Sequence, residues 1–277
     1  MTRRLIPLCC LLTLALAPAC KKDGETQNPD EAAAEPQADE NLDAAAEQEA
    51  APALPAQDPD PAELADLYAR LLIGDYEAVA SDAAELRATM TADTQIRANG
   101  LLAGIEAMAA AKVIPENGKY PSEEAIIAGE RLGDPEVLQL GHAAHAAYLI
   151  GVLEATAAQA EVEAVVGNEG AYAELAHLVL AQAHFNQAFG TGEEDTKIVN
   201  PGELDAAAAE YEAVAASSDP AIQAQAHEGL AVVYNNKSDK AKTCEHAATA
   251  SELYTSAGAS QDLLEGITYL ADKAKCK

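Results

Sequence analysis

The chain has 277 residues, 46 acidic and 17 basic, for a formal charge of −29. Alanine supplies 65 of them, Trp none, and Phe only Phe185 and Phe189. The acidic balance excludes a nucleic-acid binder, which needs a basic face for phosphates. Alanine favours helices and is poor in strands, so sandwiches and barrels are excluded. Five Cys in this length exclude a disulfide-dense mini-fold. What remains is an all-α protein of one or two domains.

Arg3 and Arg4 precede an apolar run from Leu5 to Ala19. The run is shorter than the ~20 residues that span a bilayer as a helix, and Pro7 and Pro18 break it. It reads as a secretory signal over 1–19. Cys9 and Cys10 lie inside it and are lost with it. The junction is Leu16-Ala17-Pro18-Ala19-Cys20. Small residues before a cysteine resemble a bacterial lipoprotein signal, in which the cysteine is acylated and becomes the new N-terminus. Ala17 and Pro18 depart from that pattern, which prefers Leu three places before the cysteine. The rival is an ordinary cut after Ala17-Pro18-Ala19 that leaves Cys20 as a free thiol. Lipid on Cys20 leaves Cys244 and Cys276 as an even pair; the rival leaves an odd thiol in an oxidising compartment. With Lys21 and Lys22 following, the resemblance implies a lipid-anchored envelope protein, at the outer membrane and facing the periplasm.

Residues 20–60 read as a disordered acidic tether. From Asp23 to Asp60 there are 12 acidic side chains, no Lys or Arg, and five prolines. Such a segment cannot bury enough apolar surface to offset its ordering entropy. As a flexible coil it spans roughly 35 Å.

From Pro61 to the end, 61–277, helical periods alternate with turns. Pro61 opens a helix with Leu64, Leu67, Tyr68, Leu71 and Leu72 on one face. Gly74-Asp75 ends it. Helices follow over about 76–90 and 94–113, then a turn at Pro115–Gly118. Ser122 is positioned to cap a short helix over 122–132. Asp134-Pro135 opens the next, which runs to the turn at Gly167–Gly170. Further helices cover about 171–189, 203–217, 220–235, 239–256 and 261–275, with a polar loop at 190–202. No alternating strand pattern appears in this region.

Ala208-Ala-Glu-Tyr211-Glu-Ala-Val-Ala215, running on to Asp219-Pro220, resembles the second helix and exit turn of a tetratricopeptide repeat. Leu230-Ala231-x-x-Tyr234 resembles the first helix of the next, and Gly74-Asp75-Tyr76 the turn inside an earlier one. The resemblance covers about 203–257 well and 61–90 weakly, and the motif's Trp is absent. It implies a helix-turn-helix (TPR-like) solenoid and protein–protein binding. Small residues let such helices approach closely while a few large ones fill the grooves. Cys244 and Cys276 fall on adjacent helices, and a disulfide between them would staple the last helix; the alternative is two unpaired thiols.

His142 and His145 share a helix face, but no third metal ligand is near in sequence. Glu174-Leu-Ala-His177 has a di-iron spacing without its required second copy. No nucleophile elbow, dinucleotide loop or phosphate loop occurs, so no enzyme and no cofactor are expected. The leading expectation is a lipid-anchored interaction scaffold for an envelope protein or peptide, with the acidic surface favouring a basic partner. The alternative is a small-ligand carrier with an apolar pocket. Its candidate lining is Tyr148, Tyr172, Phe185 and Phe189, with His142 and His145 on the same groove.

Overall fold

The computed structural model describes residues 54–190 and 197–276. The signal, Cys20 and nearly all of the tether lie outside the described residues. Those described are all-α, carrying eleven α-helices and no strand. In chain order these are α1 (Glu63–Leu72), α2 (Tyr76–Arg87), α3 (Ile96–Val113), α4 (Lys119–Leu132), α5 (Pro135–Gly151) and α6 (Ala155–Glu163). They continue as α7 (Ala173–Gln187), α8 (Pro201–Val214), α9 (Pro220–Asn236), α10 (Lys240–Ala257) and α11 (Gln261–Lys273). Among the described residues, no helix is long and apolar enough to cross a membrane.

Local chemistry sets most of the boundaries. Asp134 and Asp219 each cap a helix that begins with Pro, accepting hydrogen bonds from two first-turn amides. Asp239 and Ser260 cap α10 and α11, each accepting from one first-turn amide. Gly74, between α1 and α2, has φ +89°, which a side chain would strain.

Three readings of the sequence are corrected. Ser122 is not a cap: α4 starts earlier, at Lys119, and Ser122 is buried inside it, donating to the Lys119 carbonyl at 2.7 Å. Pro121 fits that first turn because an amide there has no helical partner to lose. The segment after Asp134-Pro135 is two helices, not one. The chain breaks at Val152–Glu154, where Leu153 takes a positive φ of 68°. No Pro or Gly at 152–154 announces that break; Gly151 sits where a Cβ would come within 2.5 Å of Pro115. Finally, Gln57, Asp58 and Asp60, assigned to the tether by composition, are bound to the body. Gln57 donates to the Asp93 carbonyl (3.0 Å) and accepts from the Arg97 amide (3.1 Å). Asp58 accepts from the Thr94 hydroxyl (2.9 Å), and Asp60 pairs with Arg97. Composition could not show this, because the partners lie on the far side of α1 and α2.

The helices pack in a regular pattern. Each packs on its neighbour in sequence, and each odd-numbered helix also packs on the next odd one: α1 on α3, α3 on α5, α5 on α7, α7 on α9. The row then closes, because α9 also meets α1. Gln225 in α9 donates to the Leu72 carbonyl at 2.8 Å, and the Ser260 amide before α11 donates to the Ile73 carbonyl at 2.8 Å. The last helix therefore touches α9, α10 and the α1–α2 turn, more neighbours than a terminal helix in an open row would have.

Alanine makes the close packing possible. One continuous core joins Leu67, Leu71, Leu102, Ile105, Leu140, Leu175, Leu204 and Leu230 with a larger number of buried alanines. A Cβ on Gly104 would lie 2.5 Å from Leu140, so α3 and α5 approach only because that position is bare. A smaller cluster, Ala231, Ala247, Ala250, Ile267 and Leu270, lies under α11. The Cys244–Cys276 disulfide, with Cα atoms 5.4 Å apart, ties α10 to the residues after α11.

The four described arginines gather the acidic excess. Arg97 holds Asp60, Asp134 and Glu136; Arg87 holds Glu106 and Glu124; Arg70 holds Asp66, Asp75 and Asp82; Arg131 holds Asp93. Burial works against the charge on Arg97, but the hydrogen bonds it donates to Asp60 and Asp134 outweigh it and its pKa rises.

Candidate functional site

The six histidines sit where an odd helix meets the even helix after it. His142 and His145 both direct Nδ1 at Glu161 Oε1 in α6, at 2.8 and 3.0 Å. His177 meets Glu210 (2.6 Å) and His184 meets Glu203 (2.7 Å), both in α8. His227 meets His246 of α10, Nδ1 to Nδ1 at 2.9 Å, with the rings stacked. These pairs are used up in tying helices together. Among the described residues no group of three His, Cys, Asp or Glu is arranged to hold a metal.

The Glu161 pair has a consequence for acid stability. Hydrogen bonds from His142 and His145 hold its carboxyl at a pKa of about 2, against the opposing effect of burial. A folded-state pKa below the ordinary value stabilises the protein above pH ~4.5, and that contribution is lost as pH falls toward ~2. Glu161→Gln is expected to cost about 1–2 kcal/mol at pH 7, reduced by partial solvent exposure, and to flatten the stability profile over that acid range. Urea midpoints measured from pH 2 to 7 check it; a variant profile parallel to wild type contradicts it.

The proposed apolar lining does not converge. Tyr172 stands just before α7 and packs edge-on against Tyr68 of α1, ring centroids 5.2 Å apart. Burial raises its pKa to about 12. Phe185 and Phe189 touch each other (5.1 Å) at the opposite end of α7, roughly 20 Å away at 1.5 Å per residue. Tyr148 stacks on His145 instead. A helix of this length separates residues that the sequence reading had grouped.

The repeat-motif residues do converge. Tyr211, Leu230, Ala231 and Tyr234 are buried where α8, α9 and α10 meet; Ala208 is buried and Ala215 half-buried along α8; Pro220 is exposed at the start of α9. The Tyr211 ring lies directly over bare Gly229: a Cβ there would sit 2.3–2.5 Å from the ring carbons. Tyr234 donates to Glu212 (3.1 Å), and Lys242 sits over its ring at 4.3 Å. Gly74 and Tyr76 occupy the turn and the first residue of α2.

Beside this cluster is a site that the sequence does not reveal. Glu228, on α9 next to Gly229, accepts a hydrogen bond from the Tyr254 hydroxyl at 2.5 Å on Oε2. Burial pushes the Glu228 carboxyl pKa up, opposed by Tyr254 and by the charge of Lys112. The phenols of Tyr76, Tyr211 and Tyr254 all feel Glu228, and burial raises each of their pKa values. Lys112 comes from the last turn of α3, far away in sequence. Burial pushes its ammonium pKa down, and Glu228 is the one charge that supports it.

Lys112 nevertheless has an exposed side chain, and Glu228 is only half-buried. Tyr254 is fully buried and Tyr211 nearly so, so these phenols belong to the packed core beside Glu228, while Lys112 is exposed. Two outer clefts measure about 510 Å³ beside Asp134 and 580 Å³ beside Arg87; in the first, Asp134 and Glu136 are held by Arg97, and in the second, Glu106 and Glu124 are held by Arg87.

Nothing in the sequence signals this cluster. Lys112 reads as a basic residue at a helix C-terminus, where the dipole favours it, and Glu228 as one more acid among 46. Comparison with protein families, with curated proteins and with solved structures finds no match for this chain.

Proposed function

We propose that this chain is an envelope lipoprotein, anchored through Cys20, whose TPR-like helical body acts as a protein–protein interaction scaffold. One observation carries the reading. Each odd-numbered helix from α1 to α9 packs on the next odd one as well as on its neighbours in sequence, the packing of a repeat array, and such arrays present an extended surface to a partner. The alternation of odd and even helices and the burial of Tyr211, Leu230, Ala231 and Tyr234 support the repeat reading. The Ala19-Cys20 junction supports the anchor, and the acidic segment after it supports a tether.

For the anchor, Cys20→Ala is expected to move the protein from the membrane fraction to the soluble fraction, and unchanged fractionation contradicts lipidation.

One surface of α4 tests the scaffold. Tyr120 and Ile127 lie two turns apart there, 73% and 61% exposed, with Glu123 and Glu124 between them. A photocrosslinker at Tyr120 that captures a single envelope protein supports it, and labelling no different from a crosslinker at Glu85 counts against it.

A further inference from the structure

We infer that His227 and His246 form an acid-released latch between α9 and α10, which holds while their two facing nitrogens share one proton and lets go when each carries its own, loosening α10 and α11 from the rest of the body. The geometry is that of one shared proton. His227 Nδ1 and His246 Nδ1 lie 2.9 Å apart, with ring centroids 5.2 Å apart and planes 28° apart. One nitrogen must carry a hydrogen and donate; the other must be bare and accept. A metal ion bound by both would hold them at about 3.3 Å or more, given zinc–imidazole bonds of about 2.0–2.1 Å. The first extra proton can go to the donor's Nε2, which strengthens the bond. The next must go to the accepting Nδ1. Two N–H groups then face each other, and two positive charges meet across the same gap. No form of the bond survives that.

The surroundings do not remove the conflict. From α10, Glu245 favours the charge on both rings and Lys242 opposes it on His246; from α8, Glu212 favours it on His246. Tyr234 of α9 lies parallel to His246 with centroids 5.5 Å apart, and its hydroxyl is committed to Glu212 and Lys242. Burial lowers the pKa of both histidines, and His246 lowers that of His227 further. The other four histidines work in the opposite sense. His142 and His145 face Glu161, His177 faces Glu210, and His184 faces Glu203, so a proton on any of them makes an ion pair between its helices. Acid therefore tightens α5 to α8 and acts against the α9–α10 contact.

The latch sits where the row closes. His246 is two residues from Cys244, whose disulfide ties α10 to Cys276 after α11. The Ser260 amide before α11 donates to the Ile73 carbonyl at 2.8 Å. Movement of α10 is passed through these links to α11 and to the α1–α2 turn. Because both folded-state pKa values lie below 6.5, the latch's contribution is complete above that pH and is lost as pH falls below it. Each proton that the closed form refuses shifts the closing equilibrium tenfold per pH unit, at most about thirtyfold between pH 6.5 and 5.

Hydrogen exchange of the mature full chain, corrected for intrinsic rates, reads the latch at pH 7 and pH 5. Residues 240–273 are expected to open at least about fivefold more at pH 5, while α3, α5 and α7 change little. His246→Phe keeps a ring against Tyr234 and cannot titrate; His227→Asn keeps a hydrogen-bonding group and cannot titrate. Both should abolish the difference between the two pH values, and agreement between them separates the latch from a packing defect. Imidazole NMR shifts give a readout without substitution: His227 and His246 should titrate as a coupled pair below 6.5. Independent titration of the two rings at about 6.5 overturns the latch. So does a pH response that persists in both variants, or one spread evenly over the wild-type chain.

Discussion

Replacing both Cys244 and Cys276 with Ser is expected to lower the unfolding free energy by about 3–4 kcal/mol. The residues are 32 apart in the chain, and closing a loop of that size removes roughly this much free energy from the unfolded ensemble in the chain-entropy model. The effect should fall first on the C-terminal end. Under α11 lies a small separate cluster, Ala231, Ala247, Ala250, Ile267 and Leu270, with few large apolar groups to hold the helix without the bond. Ile267 and Leu270 are buried there, and Tyr269 on the opposite face is exposed. Amide exchange should therefore accelerate in 261–273 before it does in α3 or α5. Urea denaturation with and without dithiothreitol measures the stability change. A midpoint that reductant and the double substitution leave unmoved would show that α11 docks without the bond.

Gly229→Ala should cost about 3 kcal/mol, although alanine is intrinsically the better helix residue by about 1 kcal/mol. The new methyl group would lie 2.3 Å from Tyr211 Cζ and 2.4–2.5 Å from its Cε atoms. A rigid ring cannot yield at its far end as a flexible side chain would, and Tyr211 is buried between α8 and α9, so either the ring or α9 must move. A second substitution isolates the cause: in a Tyr211→Ala background, Gly229→Ala should cost nothing further and regain the propensity gain. A Gly229→Ala protein as stable as wild type would mean that Tyr211 does not rest on α9.

The two variants also separate what each level of organisation contributes. Cys244 and Cys276 were paired in the sequence reading by parity and compartment, without knowledge of distance. Asp134-Pro135 and Asp219-Pro220 announced their helices because capping and a fixed proline φ act within four residues. The break at Val152–Glu154 was invisible for the opposite reason. At its start Gly151 lies close against Pro115 of the α3–α4 turn, a contact that no local pattern announces. The extension of the body back to Gln57 was hidden likewise, because its partners Asp93, Thr94 and Arg97 are supplied by another part of the chain.

Helical content and the acidic character were determined by the sequence alone, because both are sums over local preferences: alanine's low cost in a helix, apolar residues at three- and four-residue intervals, 46 acids against 17 bases. Tertiary structure alone decided that α9 returns to α1, that the histidines are spent on glutamates and on each other, and that Glu228 accepts the hydroxyl of Tyr254 from another helix. Such encounters depend on how small offsets accumulate from one helix to the next around a ring. No short stretch of residues encodes that sum.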